Sequence, residues 1–214
     1  MKTVYLYFLL ILFSCSSIQR DEIKIEYYPN KMVKSEVPLV NGKENGLKKV
    51  YFENGVLQET CCMKDDIPVG TINYFDKNGQ LRKIETRNDN GIADGLYIEF
   101  FPNGKINFYS NISKGKKEGK MYGFYENGQL RYETCFKNDK FEGIQYQFYP
   151  MKNIFWEYFC KNGKTEGELK YYDKNGEIAK ICTYKNDSII NQIIYKEINI
   201  KEILYIGNDS TLIK

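Results

Sequence analysis

The stretch Gly123–Gly143, GFYENGQLRYETCFKNDKFEG, decides the fold, because its centre is written again along the chain. Lys48–Leu57 reads KKVYFENGVL, Asn73–Leu81 reads NYFDKNGQL and Lys170–Ile178 reads KYYDKNGEI. The Asn-Gly glycines Gly55, Gly79, Gly104, Gly128 and Gly176 serve as zero points, separated by 24, 25, 24 and 48 residues. The long gap holds a degenerate copy centred on Lys152, where Met151-Lys152 replaces Asn-Gly. One step back from Gly55 reaches Lys31, and one step forward from Gly176 reaches Ile200. A fixed period of this size marks a repeat architecture, here of about eight units.

Three columns keep the period. Gly46, Gly70, Gly95, Gly119, Gly143 and Gly167 stand nine residues before successive zero points, several of them after Asp94, Glu118, Glu142 or Glu166. Four residues before the zero points come Tyr27, Tyr51, Phe75, Phe100, Phe124, Phe148 and Tyr172, and the row breaks at Lys196. Two residues after come Leu57, Leu81, Ile106, Leu130, Ile154 and Ile178.

Each unit therefore reads as a β-hairpin. Asn-Gly between aromatic and β-branched runs predicts a tight turn with positive φ at both residues. A polar connector such as KNDKFEG then leads into the next unit, its glycine free to turn left-handed. No segment beyond the N-terminal apolar run sustains a helical period. The expected fold is all-β: an elongated, twisted antiparallel meander of about eight hairpin repeats of 24 residues. It forms a single-layer sheet of roughly fifteen strands. The Tyr and Phe row four residues before each turn is expected to be its core spine. Phe52, Phe101, Tyr125 and Tyr149, with Tyr74 and Tyr171 where Asp76 and Asp173 take the place, lie on the second face. They are the candidate binding surface, and cross-strand packing is the alternative role for them.

The order of glycine, aromatic pair, Asn-Gly and Leu or Ile resembles MORN-type repeats, in the bacterial variant of the YwqK-like antitoxin family. The resemblance runs over Glu26–Asn199. It implies a twisted β-sheet that serves as a protein-interaction scaffold, and the antitoxin label makes a toxin one candidate partner. The chain departs from the eukaryotic MORN pattern, which is richer in tryptophan and glycine, since Trp156 is its only tryptophan.

Composition narrows the chemistry. The chain has no histidine, so the commonest general base and metal ligand are missing. There is no CxxC, and GKKEG at Gly115–Gly119 lacks the spacing of a phosphate-binding loop. No catalytic residue, cofactor or metal is expected. The 31 Lys and Arg are interspersed with 28 Asp and Glu, leaving no basic stripe for nucleic acid. Cys61, Cys62, Cys135, Cys160 and Cys182 fall on equivalent strands of different units. Such strands lie about 9–10 Å apart, beyond the reach of roughly 7 Å that a disulfide allows, so free thiols are expected.

The N-terminus has its own logic. In MKTVYLYFLLILFSC, Lys2 precedes an apolar run from Val4 to Phe13, which suits a signal-peptide core. Leu12-Phe13-Ser14-Cys15 resembles a bacterial lipobox, which implies lipid attachment at Cys15. Ser16 behind it resembles lipoproteins sent on to an outer membrane. The expected division is signal peptide 1–14, tether 15–25, repeat sheet 26–199 and a degenerate repeat or cap 200–214. The expected function is a membrane-anchored, non-catalytic scaffold for an unidentified protein partner, facing the periplasm or the surface of a bacterial envelope. The alternatives are an antitoxin or immunity-type protein, and a glycan- or cell-wall-binding module.

Overall fold

Each zero-point turn closes with three residues, where two were expected. In the computed structural model, which describes residues 22–197, the amide of Phe52 donates to the carbonyl of Val56 (2.8 Å) and that of Gly55 to Phe52 (2.9 Å). Gly55 is left-handed at φ 80°, whereas Asn54 keeps a negative φ. This is a type I turn followed by a left-handed residue, the usual three-residue hairpin loop. The same two bonds recur at Tyr28–Met32, Asp76–Gln80, Phe101–Lys105, Tyr125–Gln129, Tyr149–Asn153 and Asp173–Glu177. Lys31 (φ 69°) and Lys152 (φ 76°) take the glycine place, so the degenerate copies keep the turn.

The turn with both φ positive occurs between units, at Asn41-Gly42, Asp65-Asp66, Lys114-Gly115, Asn138-Asp139, Asn162-Gly163 and Asn186-Asp187. Most of its non-glycine positions are Asn or Asp, whose short polar side chains tolerate the left-handed region. The connector at Asn88–Ile92 instead uses the three-residue form. It supplies the extra residue in the 25-residue gap between Gly79 and Gly104.

The strands run β1 (Glu22–Tyr27), β2 (Val33–Val40), β3 (Lys43–Glu44), β4 (Gly46–Tyr51), β5 (Leu57–Lys64) and β6 (Ile67–Phe75). They continue with β7 (Leu81–Arg87), β8 (Ala93–Phe100), β9 (Ile106–Ser113), β10 (Lys116–Phe124), β11 (Leu130–Lys137) and β12 (Lys140–Phe141). The last are β13 (Gly143–Phe148), β14 (Ile154–Lys161), β15 (Lys164–Tyr172), β16 (Ile178–Lys185) and β17 (Ser188–Ile194). All lie in one antiparallel sheet, and each pairs with its neighbours in the chain. Because β3 and β4 share β2, and β12 and β13 share β11, the 17 strands make 17 − 2 = 15 rungs. β1 begins inside the stretch expected as a tether. The expected signal peptide, Cys15 and the 200–214 cap lie outside the described residues.

Two bulges shape every unit. One follows the zero-point turn, as at Arg131 opposite Gly123 and Phe124. The other sits at the left-handed glycine nine residues before it, as between Lys117 and Met121 around Gly119. Bulges bend strands and increase their twist. At β13 the gap opened by Gly143 is filled by Gln145, which is wholly buried. Its amide oxygen accepts from the Cys135 amide (3.0 Å), and its nitrogen donates to the carbonyls of Cys135 (3.4 Å) and Gly143 (3.0 Å).

The buried face lies opposite the row expected as the core spine. Tyr51, Phe75, Phe100, Phe124, Phe148 and Tyr172 are only half-buried, and Tyr27 is exposed. Fully buried instead are Val37, Cys61, Ser110, Thr134 and Cys182, six residues after their zero points, with Met63, Phe136 and Cys160 two further on. Ile72, Met121 and Gln145 face them from the preceding strands. A bent sheet crowds one side, and thin side chains such as Cys, Ser and Thr fit there. Bulky rings end up on the roomier side, where Tyr109 packs against Tyr122 (5.2 Å between centroids) and Phe124 (6.0 Å).

Carboxylates stitch units together. Glu118, Glu142 and Glu166, each just before a bulge glycine, accept the amides of Asn138 (2.9 Å), Asn162 (2.7 Å) and Asn186 (3.1 Å) in the next inter-unit turn. Asp66, Asp139 and Asp187 reach back to the amides of Glu44, Lys117 and Thr165 at 2.6–2.7 Å. The recurrence of these acidic residues is thus a turn requirement, as their once-per-unit spacing suggested.

The last unit slips. In β14–β15 the residue four after the zero point, Trp156, pairs with Tyr171, five before the next. In β16–β17 the equivalent Lys180 pairs with Ile194, six before Ile200. Asn191 replaces the bulge glycine, and β17 skips one residue where inner strands skip three. Tyr195, with its amide on the Ala179 carbonyl (2.8 Å), therefore continues the aromatic row that counting along the sequence broke at Lys196.

Candidate interaction surface

The six aromatics singled out from the sequence are engaged in packing. The Tyr125 hydroxyl donates to the Phe148 carbonyl (2.6 Å) and that of Tyr149 to the Tyr172 carbonyl (2.8 Å), each clamping one unit to the next. Tyr28 does the same to Tyr51 (2.7 Å). Tyr149 is 4% exposed, and its ring meets Phe155 at 5.1 Å. Phe52 and Phe101 hold the equivalent place half-buried, without a hydroxyl. Where Asp76 and Asp173 replace the aromatic, the carboxylate caps its own turn through the amides of Asn78 and Gln80, or Asn175 and Glu177.

Tyr74 and Tyr171 lie on the buried face. Tyr74 packs beside Val37, Cys61, Met63 and Ile72, with the Lys83 ammonium 3.8 Å from its ring centre. Tyr171 meets Phe155 at 5.8 Å, and burial pushes its phenol up to about 12. The structure thus brings these six residues to one side of the sheet but leaves no open ladder of rings.

A row of exposed apolar groups lies on the other side. Leu47, Leu96 and Ile144 each directly follow a bulge glycine and remain 41–50% exposed. Ile144 is paired with Phe159, itself 42% exposed, and Leu47 with the exposed Cys62. Their places on β4, β8 and β13 are four rungs apart, about 19 Å at roughly 4.8 Å per rung. Thr71, Lys120 and Glu168 stand at the same place in the alternate units. The signal was readable in the sequence as the residue after each left-handed glycine, once the open face was known.

No chemistry gathers on either face. The five described cysteines are free, and burial pushes the thiols of Cys61 and Cys160 up to about 11, away from reactivity. Among the described residues no three His, Cys, Asp or Glu side chains cluster as metal ligands. None of the described residues forms a helix long and apolar enough to cross a membrane.

The family model described as "MORN repeat variant" matches residues 44–65, 93–112, 117–138 and 165–186. These four segments are similar to MORN-variant repeats. Each matched segment is one hairpin with its turn, and the copies around Gly79 and Lys152 keep the same turn outside the matches. No curated protein matches the sequence. Among solved structures, the chain is similar to accessory secretory protein 1, 2 and 3 of Streptococcus pneumoniae, at 18% identity and a TM-score of 0.20. That likeness covers 61% of this chain but only 19% of the other. A porin-like protein from Bacteroides uniformis is similar at 9% identity and a TM-score of 0.22, over 80% of this chain and 95% of that one.

Proposed function

We propose that this chain is a non-catalytic scaffold, anchored to a bacterial envelope by lipid on Cys15, whose open face binds another protein. MORN repeats are commonly protein- or membrane-interaction modules. The observation that carries the reading is the evenly spaced row of Leu47, Leu96 and Ile144, backed by Phe159, on the face opposite the core. Exposed apolar groups repeated along a rigid sheet suit an elongated protein partner.

Capture from envelope fractions by the full chain tests this. The expected result is a protein retained by the unaltered chain and lost with Leu96→Glu and Ile144→Glu. Retention by both variants would remove the open face from consideration. The identity of the captured protein also decides whether it is a toxin. Cys15→Ser should shift the chain from the membrane to the soluble fraction, and continued membrane association would overturn the lipid anchor.

A further inference from the structure

Among the described residues, β1 and β17 are the two rungs with a single partner, and they are built differently. β1, EIKIEY, has three charged residues in six, and Lys24 is held by Glu26 and Glu44, each at 3.2 Å. Charges on an edge strand deter stray pairing. β17, SIINQII, has no charge, proline or glycine, and all seven residues are exposed. Ile189, Ile190, Ile193 and Ile194 remain 46–63% exposed, and Tyr195 59%. The wide glycine bulge that bends the inner strands is reduced here to one skipped residue, so the edge is straighter. Apart from that one-residue bulge, a seven-residue edge of this composition lacks the charges and prolines that ordinarily deter association.

We propose that β17 pairs with β17 of a second copy, joining two sheets into one across a two-fold axis. An axis perpendicular to the sheet sets identical edges antiparallel, the sense that every internal pair uses. Centred on Gln192, it places Gln192 against its own copy, Ile190 against Ile194 and Ile189 against Tyr195. Apolar side chains then oppose apolar ones at the outer pairs and amide meets amide at the centre, pairings that stabilise sheets, while Asn191 meets Ile193. Nothing charged lies between Ser188 and Tyr195, so no like-charge contact opposes self-pairing. Lys196 is drawn away by ion pairs with Asp173 and Glu177.

Sedimentation of the full chain in mild detergent tests the proposal without any partner, so its failure is distinct from failure of the scaffold reading. The expected species is a dimer of the chain. Ile190→Lys and Ile194→Lys, both at exposed positions, should weaken dimerisation by at least roughly tenfold, with the far-UV spectrum unchanged. In a Cys62→Ser background, Gln192→Cys should form a disulfide to its own copy on mild oxidation, whereas Asn191→Cys, placed opposite Ile193, should not. A monomer overturns the proposal. So does a dimer that both lysine variants leave intact. A monomer whose β17 amides resist hydrogen exchange overturns it too, and assigns the edge to residues beyond 197.

Discussion

Two positions show how far a single residue governs this sheet. Gly123 has ordinary backbone geometry, so its smallness answers to a neighbour. A Cβ built there would lie 2.1 Å from Cζ of Tyr132, the residue directly across the strand pair. Gly123→Ala should therefore destabilise by about 2–3 kcal/mol through overpacking. Adding Tyr132→Ala should recover part of that loss, because the two changes share one contact. Urea midpoints of the two single variants and the double variant measure the coupling, and additive losses would contradict the contact. Lys152 shows the reverse case. It holds a left-handed φ of 76° that Cβ disfavours by about 1–2 kcal/mol, in a turn whose sister copies use glycine. Lys152→Gly should raise stability by about 1 kcal/mol. An unchanged melting midpoint would mean the turn carries no such strain.

At the scale of elements, the hairpins hold together through side chains that replace missing backbone bonds. Gln145 supplies the partner of the Cys135 amide where the bulge parts β11 from β13, and shares the Cys135 carbonyl with the Glu142 amide. Gln145→Ala leaves that amide unsatisfied beside a new cavity, while the carbonyl keeps the Glu142 amide, and should destabilise by about 2–4 kcal/mol. The Cys135 amide should then lose its protection against hydrogen exchange, while Met121, paired with Thr134 on the other side of β11, keeps its own. Equal loss at both amides would show global unfolding instead. Tyr149→Phe removes one clamp to the Tyr172 carbonyl. It should lower stability by about 1 kcal/mol, whereas changing Phe101 to Tyr restores nothing unless its hydroxyl reaches the next carbonyl.

These elements also show what could be read beforehand. Hairpin spacing and antiparallel order over the described residues followed from glycine and aromatic spacing, because turn chemistry is local and recurs in each unit. The eroded turns at Lys31 and Lys152 were placed by period alone, and both are formed. The turn types were exchanged because Asn-Gly suits either geometry, and the deciding factor is how many residues separate the paired strands. Which face is buried was not legible. Hydrophobicity marks Phe and Tyr, whereas the crowded side is filled by Cys61, Cys182, Ser110 and Thr134, which look unremarkable one by one. The candidate aromatics Tyr125 and Tyr149 proved to lie on the buried side, where their hydroxyls hold the carbonyls of Phe148 and Tyr172.

For the whole molecule, the proton inventory predicts an uncommon pH dependence. With no histidine in the chain, the side chain that ordinarily titrates between roughly pH 5 and 8 is missing. The alkaline range is different. Burial raises the thiols of Cys61 and Cys160 from 9.0 to about 11. Burial, joined by hydrogen bonding to Glu157, raises the Tyr172 phenol from 10.0 to about 12, and burial, joined by the nearby Tyr184 and Cys182, does so for Tyr171. Tyr97 and Tyr158 shift upward for the same leading reason. In each case the folded chain holds a proton that the unfolded chain releases at the lower value. Above that value the unfolded state binds fewer protons, so stability falls as pH rises. The stabilising contribution is complete below pH 9.0 and is lost progressively as the folded groups titrate, through about 11 for the thiols and about 12 for the phenols. Urea midpoints should therefore stay level near neutrality and drop steadily across that alkaline window. A Cys61→Ala, Cys160→Ala double variant should show a shallower drop in the lower part of the window, and the same fall near the phenol range. An identical curve for the variant would mean that the two thiols titrate alike in the folded and unfolded chains, and that their burial on the crowded face is incomplete.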